Sequence, residues 1–206
     1  YNESVYQYDF TLTPLPGGKE EKFALFAIGD PQVSNAGSKL PEFNNYAVPG
    51  LKKHANEVTN SGIPCYGITL GDIISNNTSS SDEYLRDDMR NGFAISKTGF
   101  PIFQVMGNHD YTYCNEEKPL VVDSRSSTIN LKAQRNHENM FGPVNYSFNR
   151  GDFHIIGMKD IVYKSATVGG SYDYGFTAEQ YKWLQQDLAL VPKDKAVVLC
   201  VHIQIF

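Results

Sequence analysis

The chain has 206 residues, of which 41 % are hydrophobic and 20 % charged, and its formal net charge is −5. That is the make-up of a globular chain able to bury one sizeable core. The acidic balance leaves no basic footprint for nucleic acid, and there is no apolar run of the ~18 residues needed to span a membrane.

The opening stretch, residues 1–18, carries Val5, Tyr6, Tyr8, Phe10 and Leu12, then breaks at Pro14, Pro16 and the glycine pair. It reads as one strand and a linker from a preceding β domain, with the main domain running over 19–206. From Lys22 onward, strand patterns alternate with helical ones. The run FALFAIG is continuously apolar, as expected of a strand covered on both faces. Residues 49–62 predict a helix with Pro near its start and Gly beyond its end. The segment PCYGITLG is the second strand. Residues 81–99 predict a helix with Ser81 and Asp82 as caps and Gly99 as its stop. The segment PIFQVMG is the third strand.

Residues 111–135 show no clear period and predict a long excursion beside the third strand end. Residues 144–160 predict a hairpin turning at 149–152. Thr177 and Gln180 have the spacing of a capping box before an amphipathic helix, and AVVLCV is the last strand. Cys65, Cys114 and Cys200 lie far apart with no CxxC spacing, which favours free thiols.

Alternation of strands and helices predicts an α/β fold whose sheet is mostly parallel, with right-handed crossovers. Ligands of such sheets bind beyond the carboxyl ends of the strands. Four strand ends in this sequence carry polar groups there: Asp30, Asp72, Asn108–His109–Asp110 and His202. Two carboxylates, an amide and an imidazole make a hard, oxygen-rich set suited to Mn²⁺, Mg²⁺, Fe²⁺ or Zn²⁺. His109 is placed to give a proton to a leaving oxygen, and Asp110 to fix its tautomer.

Asp30-x-Gln32, Gly71-Asp72 and Gly107-Asn108-His109-Asp110, with a distant His202 after a strand, resemble the boxes of the calcineurin-like metallophosphoesterases. The resemblance runs from about Phe23 to Phe206. It implies a four-layer α/β/β/α sandwich and a dinuclear centre of two divalent ions. It also implies hydrolysis of phosphomonoesters or phosphodiesters by a metal-bound hydroxide. On this resemblance Asp30 ligates one ion, Asp72 bridges both, Asn108 and His202 hold the second, and His109 serves the transferring phosphoryl group. Relatives of this multi-domain type imply flanking domains and a bacterial periplasm or cell envelope.

The sequence departs from the family pattern in two places. Gln32 stands where the family usually has His, as in a subgroup reading Asp-Pro-Gln; an amide oxygen there favours Mg²⁺ or Mn²⁺ over Zn²⁺. The family's last box, Gly-His-x-His, is not reached by Phe206, so the sequence reads as cut at its C-terminal edge, with an impaired centre. These departures keep a second reading open, a binding or scaffold module that retains the fold without competent metal binding. Singly, Asp30 and Asp72 read equally as turn residues, His202 as a buried histidine, and Gln32 as solvent-facing.

Overall fold

A computed structural model describes residues 22–33, 39–74, 91–110, 128–163 and 172–204. The expected first strand, the start of the helix at 81 and most of the 111–135 excursion lie outside these residues. Within them the chain is a mixture of helices and strands in several small sheets, as an α/β class requires.

The first sheet is built from β1 (Ala24–Ile28), β2 (Cys65–Thr69) and β3 (Ile102–Phe103), all parallel, with Phe26 opposite Gly67 and Gly67 opposite Ile102. Between β1 and β2 come α1 (Lys39–Glu42), a π-helical turn (Phe43–Ala47) and α2 (Val48–Thr59). The helix expected from Pro49 begins earlier, at Lys39, and Pro49 lies just after the π-helical turn within it. The helix expected over 81–99 is not continuous: Ala94 is extended, and a separate short helix, α3 (Ile95–Thr98), ends on Gly99 in the left-handed conformation, the predicted stop.

The second sheet joins β4 (Asn145–Arg150), β5 (Phe153–Met158) and β8 (Ala196–Cys200). β4 and β5 form the predicted hairpin, turning at Gly151 and Asp152, and β8 lies parallel to β5. Alternation along these strands sorts the side chains. Tyr146, Phe148, Ile155, Val198 and Cys200 share one core with Leu25, Ile68, Val105 and Phe103 of the first sheet, and Phe103 stacks on Phe148 at 4.4 Å. The opposite face of the first sheet, including Cys65 and Phe26, packs with Ala55, Leu51 and Val58 of α2.

The outward face of β4 is polar, with Asn145, Ser147 and Asn149 opposite Met158, Ile156 and His154 of β5, and α5 (Ala178–Ala189) answers it. Asp187 of α5 accepts from Ser147 at 2.7 Å and faces the buried His154 ring at 2.7 Å. Gln180 donates to Asn145 at 2.8 Å. The Thr177–Gln180 capping box starts this helix as predicted. Cys65 and Cys200 are buried and free; burial raises both thiol pKa values, that of Cys200 to about 11.

Three further elements differ from the sequence expectation. The third strand pairs only at Ile102–Phe103: beyond it the Val105 amide donates to the Thr69 hydroxyl at 3.3 Å and the Gln104 carbonyl accepts from the Tyr146 hydroxyl at 3.0 Å, so neither continues the ladder. The end of the expected excursion is helical, α4 (Thr128–Phe141), with His137 buried against Phe141. A polar residue on the buried stripe breaks the apolar period that would have revealed it. A small antiparallel pair, β6 (Ile161–Tyr163) and β7 (Tyr172–Tyr174), was not anticipated; strands of three residues carry too few alternations to read. Among the described residues, no helix is long and apolar enough to cross a membrane.

Candidate metal centre

Beyond the carboxyl ends of β1 and β2, the two chains keep running side by side. Gln32 N–H donates to the Asp72 carbonyl at 2.9 Å, Val33 N–H to Ile73 at 3.2 Å, and Val33 bridges Ile74. This short extension holds Asp30 and Asp72 on neighbouring turns. Asp30, Gln32 and Asp72 all take left-handed backbone, with φ of 42°, 40° and 52°. A residue with a Cβ pays for that conformation, and such strain concentrates at functional sites.

The loop after β3 crosses the same point. Gly107 passes so close to Asp72 that a Cβ there would fall on the Asp72 amide nitrogen and Oδ1. Gly71, at φ 87°, faces the His202 ring, and a Cβ on it would lie 2.6 Å from Nδ1. Both glycines are therefore required by close approach, at Gly71-Asp72 and at Gly107-Asn108.

The third approach is from β8. His202 Nδ1 lies 2.8 Å from the Leu70 carbonyl, which can only accept, so Nδ1 carries the proton. Nε2 then points to Asn108 Oδ1 at 2.8 Å and Asp72 Oδ1 at 3.3 Å. One potential ligand atom from each of Asp30, Asp72 and His202 lies within 4.8 Å of the others. Asp72 is the hub: it also accepts from the His109 amide at 2.9 Å and from Gln32 Nε2 at 3.3 Å. The His109 ring, about one-third exposed, brings Nε2 to 3.8 Å from Asp72 Oδ2.

The structure thus gathers Asp30, Gln32, Asp72, Asn108, His109 and His202 at one edge. Asp110 holds the turn: one oxygen accepts from the amides of Ile73 and Ile74 at 3.0 and 3.4 Å, the other from Gly107 at 2.8 Å. Three amide bonds make it a positioning residue for the Gly107–Asp110 turn. Asp160 lies just after β5. Buried to 1 % exposure, it accepts from the amides of His202 and Ile203 at 3.3 and 2.8 Å. It fastens the loop that carries His202.

The donor set suits a hard divalent cation. His202 Nε2 and the oxygens of Asn108 and Asp72 converge, and a positive charge at that point, either a proton on Nε2 or a bound cation, makes the contacts favourable. A histidine whose Nδ1–H is fixed by a backbone carbonyl, leaving Nε2 to the site, is the usual second shell of a metal ligand. Burial pushes the Asp72 carboxyl pKa upward, opposed by the His109 amide and by the charges of His202 and His109. Burial also raises that of Asp160. A divalent ion would reverse the penalty at Asp72.

The chain matches no protein-family model, and a search of curated proteins returns no match. Fold and site together describe a mixed α/β chain with an Asp-Asp-His cluster that could hold a metal ion at the carboxyl ends of its strands.

Proposed function

We propose that this chain is a calcineurin-like metallophosphoesterase that hydrolyses phosphomonoesters or phosphodiesters with two divalent ions. The observation that carries this reading is the left-handed backbone at Asp30, Gln32 and Asp72, three non-glycine residues in the boxes of the resemblance. An architecture goes with it: two sheets face to face and helices outside, a four-layer α/β/β/α sandwich. Asp30, Asp72, Asn108 and His202 would hold the ions, with Gln32 turning its amide oxygen inward.

Bound ions supply Lewis acidity for a phosphoryl oxygen and lower the pKa of bound water. The chain's own part is positioning and proton movement. Asp72 is fixed by the His109 amide, and Asp110 locks the turn that carries both Asn108 and His109. His109 presents a partly exposed ring beside Asp72, from which Nε2 can donate to the leaving oxygen of the ester.

One observation favours the alternative of a scaffold that retains the fold. Gln32 offers its amide nitrogen to Asp72, which places a donor where a ligand is needed. A metal count on the full chain, with hydrolysis of an aryl phosphate in metal-free buffer and then with Mn²⁺, separates the two. Two ions per chain and Mn²⁺-restored turnover that vanishes in Asp72→Ala uphold the enzyme. No bound ion and no turnover in the folded protein leave the scaffold. His109→Ala is expected to retain the ions and slow turnover; unchanged turnover would remove it from the mechanism.

A further inference from the structure

A hollow of about 780 Å³ opens beside the end of β1, within the size range of small-molecule sites. It touches the candidate centre through the chain itself. Pro31, in its wall, sits between Asp30 and Gln32, so each neighbouring Cα is only about 3.8 Å further along. A second large hollow, about 550 Å³, borders Phe23, Ala24 and Phe153 at the starts of β1 and β5, the opposite edge from Asp30. Of these two hollows among the described residues, the first is the one that borders the chain segment carrying Asp30 and Gln32.

The walls of that hollow specify a chemistry. Its floor includes the ring pair Phe43 and Phe93, edge to face at 5.1 Å. Tyr46, on the π-helical turn, stands 75 % exposed at the rim. Single π-helical turns are rare and recur at functional sites. Lys39 and Glu42 are the charged lining groups and carry opposite signs, so the hollow has no net charge to attract an ionic group. Aromatic side chains prefer ring partners in edge-to-face or offset contact.

We propose that this hollow receives the aromatic leaving group of a phosphate monoester whose phosphate is held at Asp30, Asp72 and His202. The inference rests on the metallophosphoesterase reading and adds to it a substrate class and a specificity pocket.

The test is binding rather than turnover. Calorimetry with Mn²⁺ present compares phenylphosphonate with methylphosphonate, neither of which is hydrolysed. The expected result is phenylphosphonate bound about tenfold tighter, the gain from burying part of one ring. Ala47→Trp, which fills the hollow from an exposed wall position, should abolish that preference and leave the methylphosphonate affinity unchanged. Tyr46→Ala, which removes only an exposed ring, should reduce the preference without risk to folding. Equal affinities in the unmodified protein would overturn the pocket and leave the metal centre standing. A preference that survives Ala47→Trp would do the same. Binding of neither phosphonate would remove the metal centre, and this inference with it.

Discussion

His202 and Leu70 are 132 positions apart in sequence, yet the His202 ring donates through Nδ1 to the Leu70 carbonyl at 2.8 Å. That one bond settles the tautomer and aims Nε2 at Asn108 and Asp72. The aim depends equally on the backbone around His202, which Asp160 grips through two amides.

Asp160 should therefore govern metal affinity without being a ligand. Asp160→Asn keeps the size but replaces one carboxylate oxygen with an NH₂ that faces amide donors. Loss of such an outer support typically costs about 10–100-fold in metal affinity. Titration with Mn²⁺ is expected to show that loss, with His202→Ala losing more. Undiminished affinity in a folded Asp160→Asn protein would show that the loop holds itself.

Gly71 and Gly107 should resist any side chain. In Gly71→Ala the residue keeps a left-handed backbone at φ 87° and sets its Cβ against the His202 ring. Left-handed strain alone is of order 1–3 kcal/mol. Urea unfolding should show Gly71→Ala destabilised by about 2 kcal/mol or more, together with weakened Mn²⁺ binding. Gly62→Ala is the comparison, since Gly62 has φ 78° and open space around it. Its loss should be confined to stability.

Much of this site was legible in the sequence because strand-ending polar residues announce themselves locally. Asp30, Asp72, Asn108 and His202 follow apolar runs, and parallel strands deliver their carboxyl ends to one edge. What could not be read were the residues that hold those groups in place. Leu70 contributes only a carbonyl, and any residue type has one. The bonds of Asp110 to the amides of Ile73 and Ile74 cross more than 30 positions, and its place beside His109 in the chain does not announce them. Asp160 reaches the amides of His202 and Ile203 across 42 and 43 positions. Each of these roles is a contact across 30 or more positions, and no short pattern encodes such a contact. The helix α4 was hidden for another reason: His137 occupies a core position that periodicity assigns to an apolar residue.

The joint between α5 and the second sheet is polar and should be sensitive to a single deletion. Asp187 accepts from Ser147 and faces His154, whose other ring nitrogen lies 2.9 Å from Asn149 Oδ1. Asp187→Ala leaves the buried hydroxyl and imidazole without that carboxylate. The expected destabilisation is roughly 2–4 kcal/mol. Because the joint is remote from Asp30 and Asp72 in the fold, Mn²⁺ affinity should not change. A shift in that affinity would reveal coupling between the outer helix and the metal edge.

Lys159 gives a pH dependence whose sign can be worked out. It is buried, and burial lowers its pKa from 10.5 to about 8, with Glu138 pulling the other way. Between these values the unfolded chain binds the proton and the folded chain does not, so this residue makes stability rise with pH across that window. Below about 8 the folded protein carries a buried ammonium at a cost of roughly 3–4 kcal/mol. The thiols act in the opposite direction. With pKa values raised in the folded state, Cys65 and Cys200 ionise first in the unfolded chain and lower stability above pH 9. The difference between two proteins isolates the lysine. Lys159→Met should be the more stable of the pair at pH 7, and its advantage should shrink steadily toward pH 10. Unfolding free energies from urea titrations at pH 7, 8, 9 and 10 provide the comparison. A constant difference over that range would mean that Lys159 keeps its ordinary pKa in the folded protein.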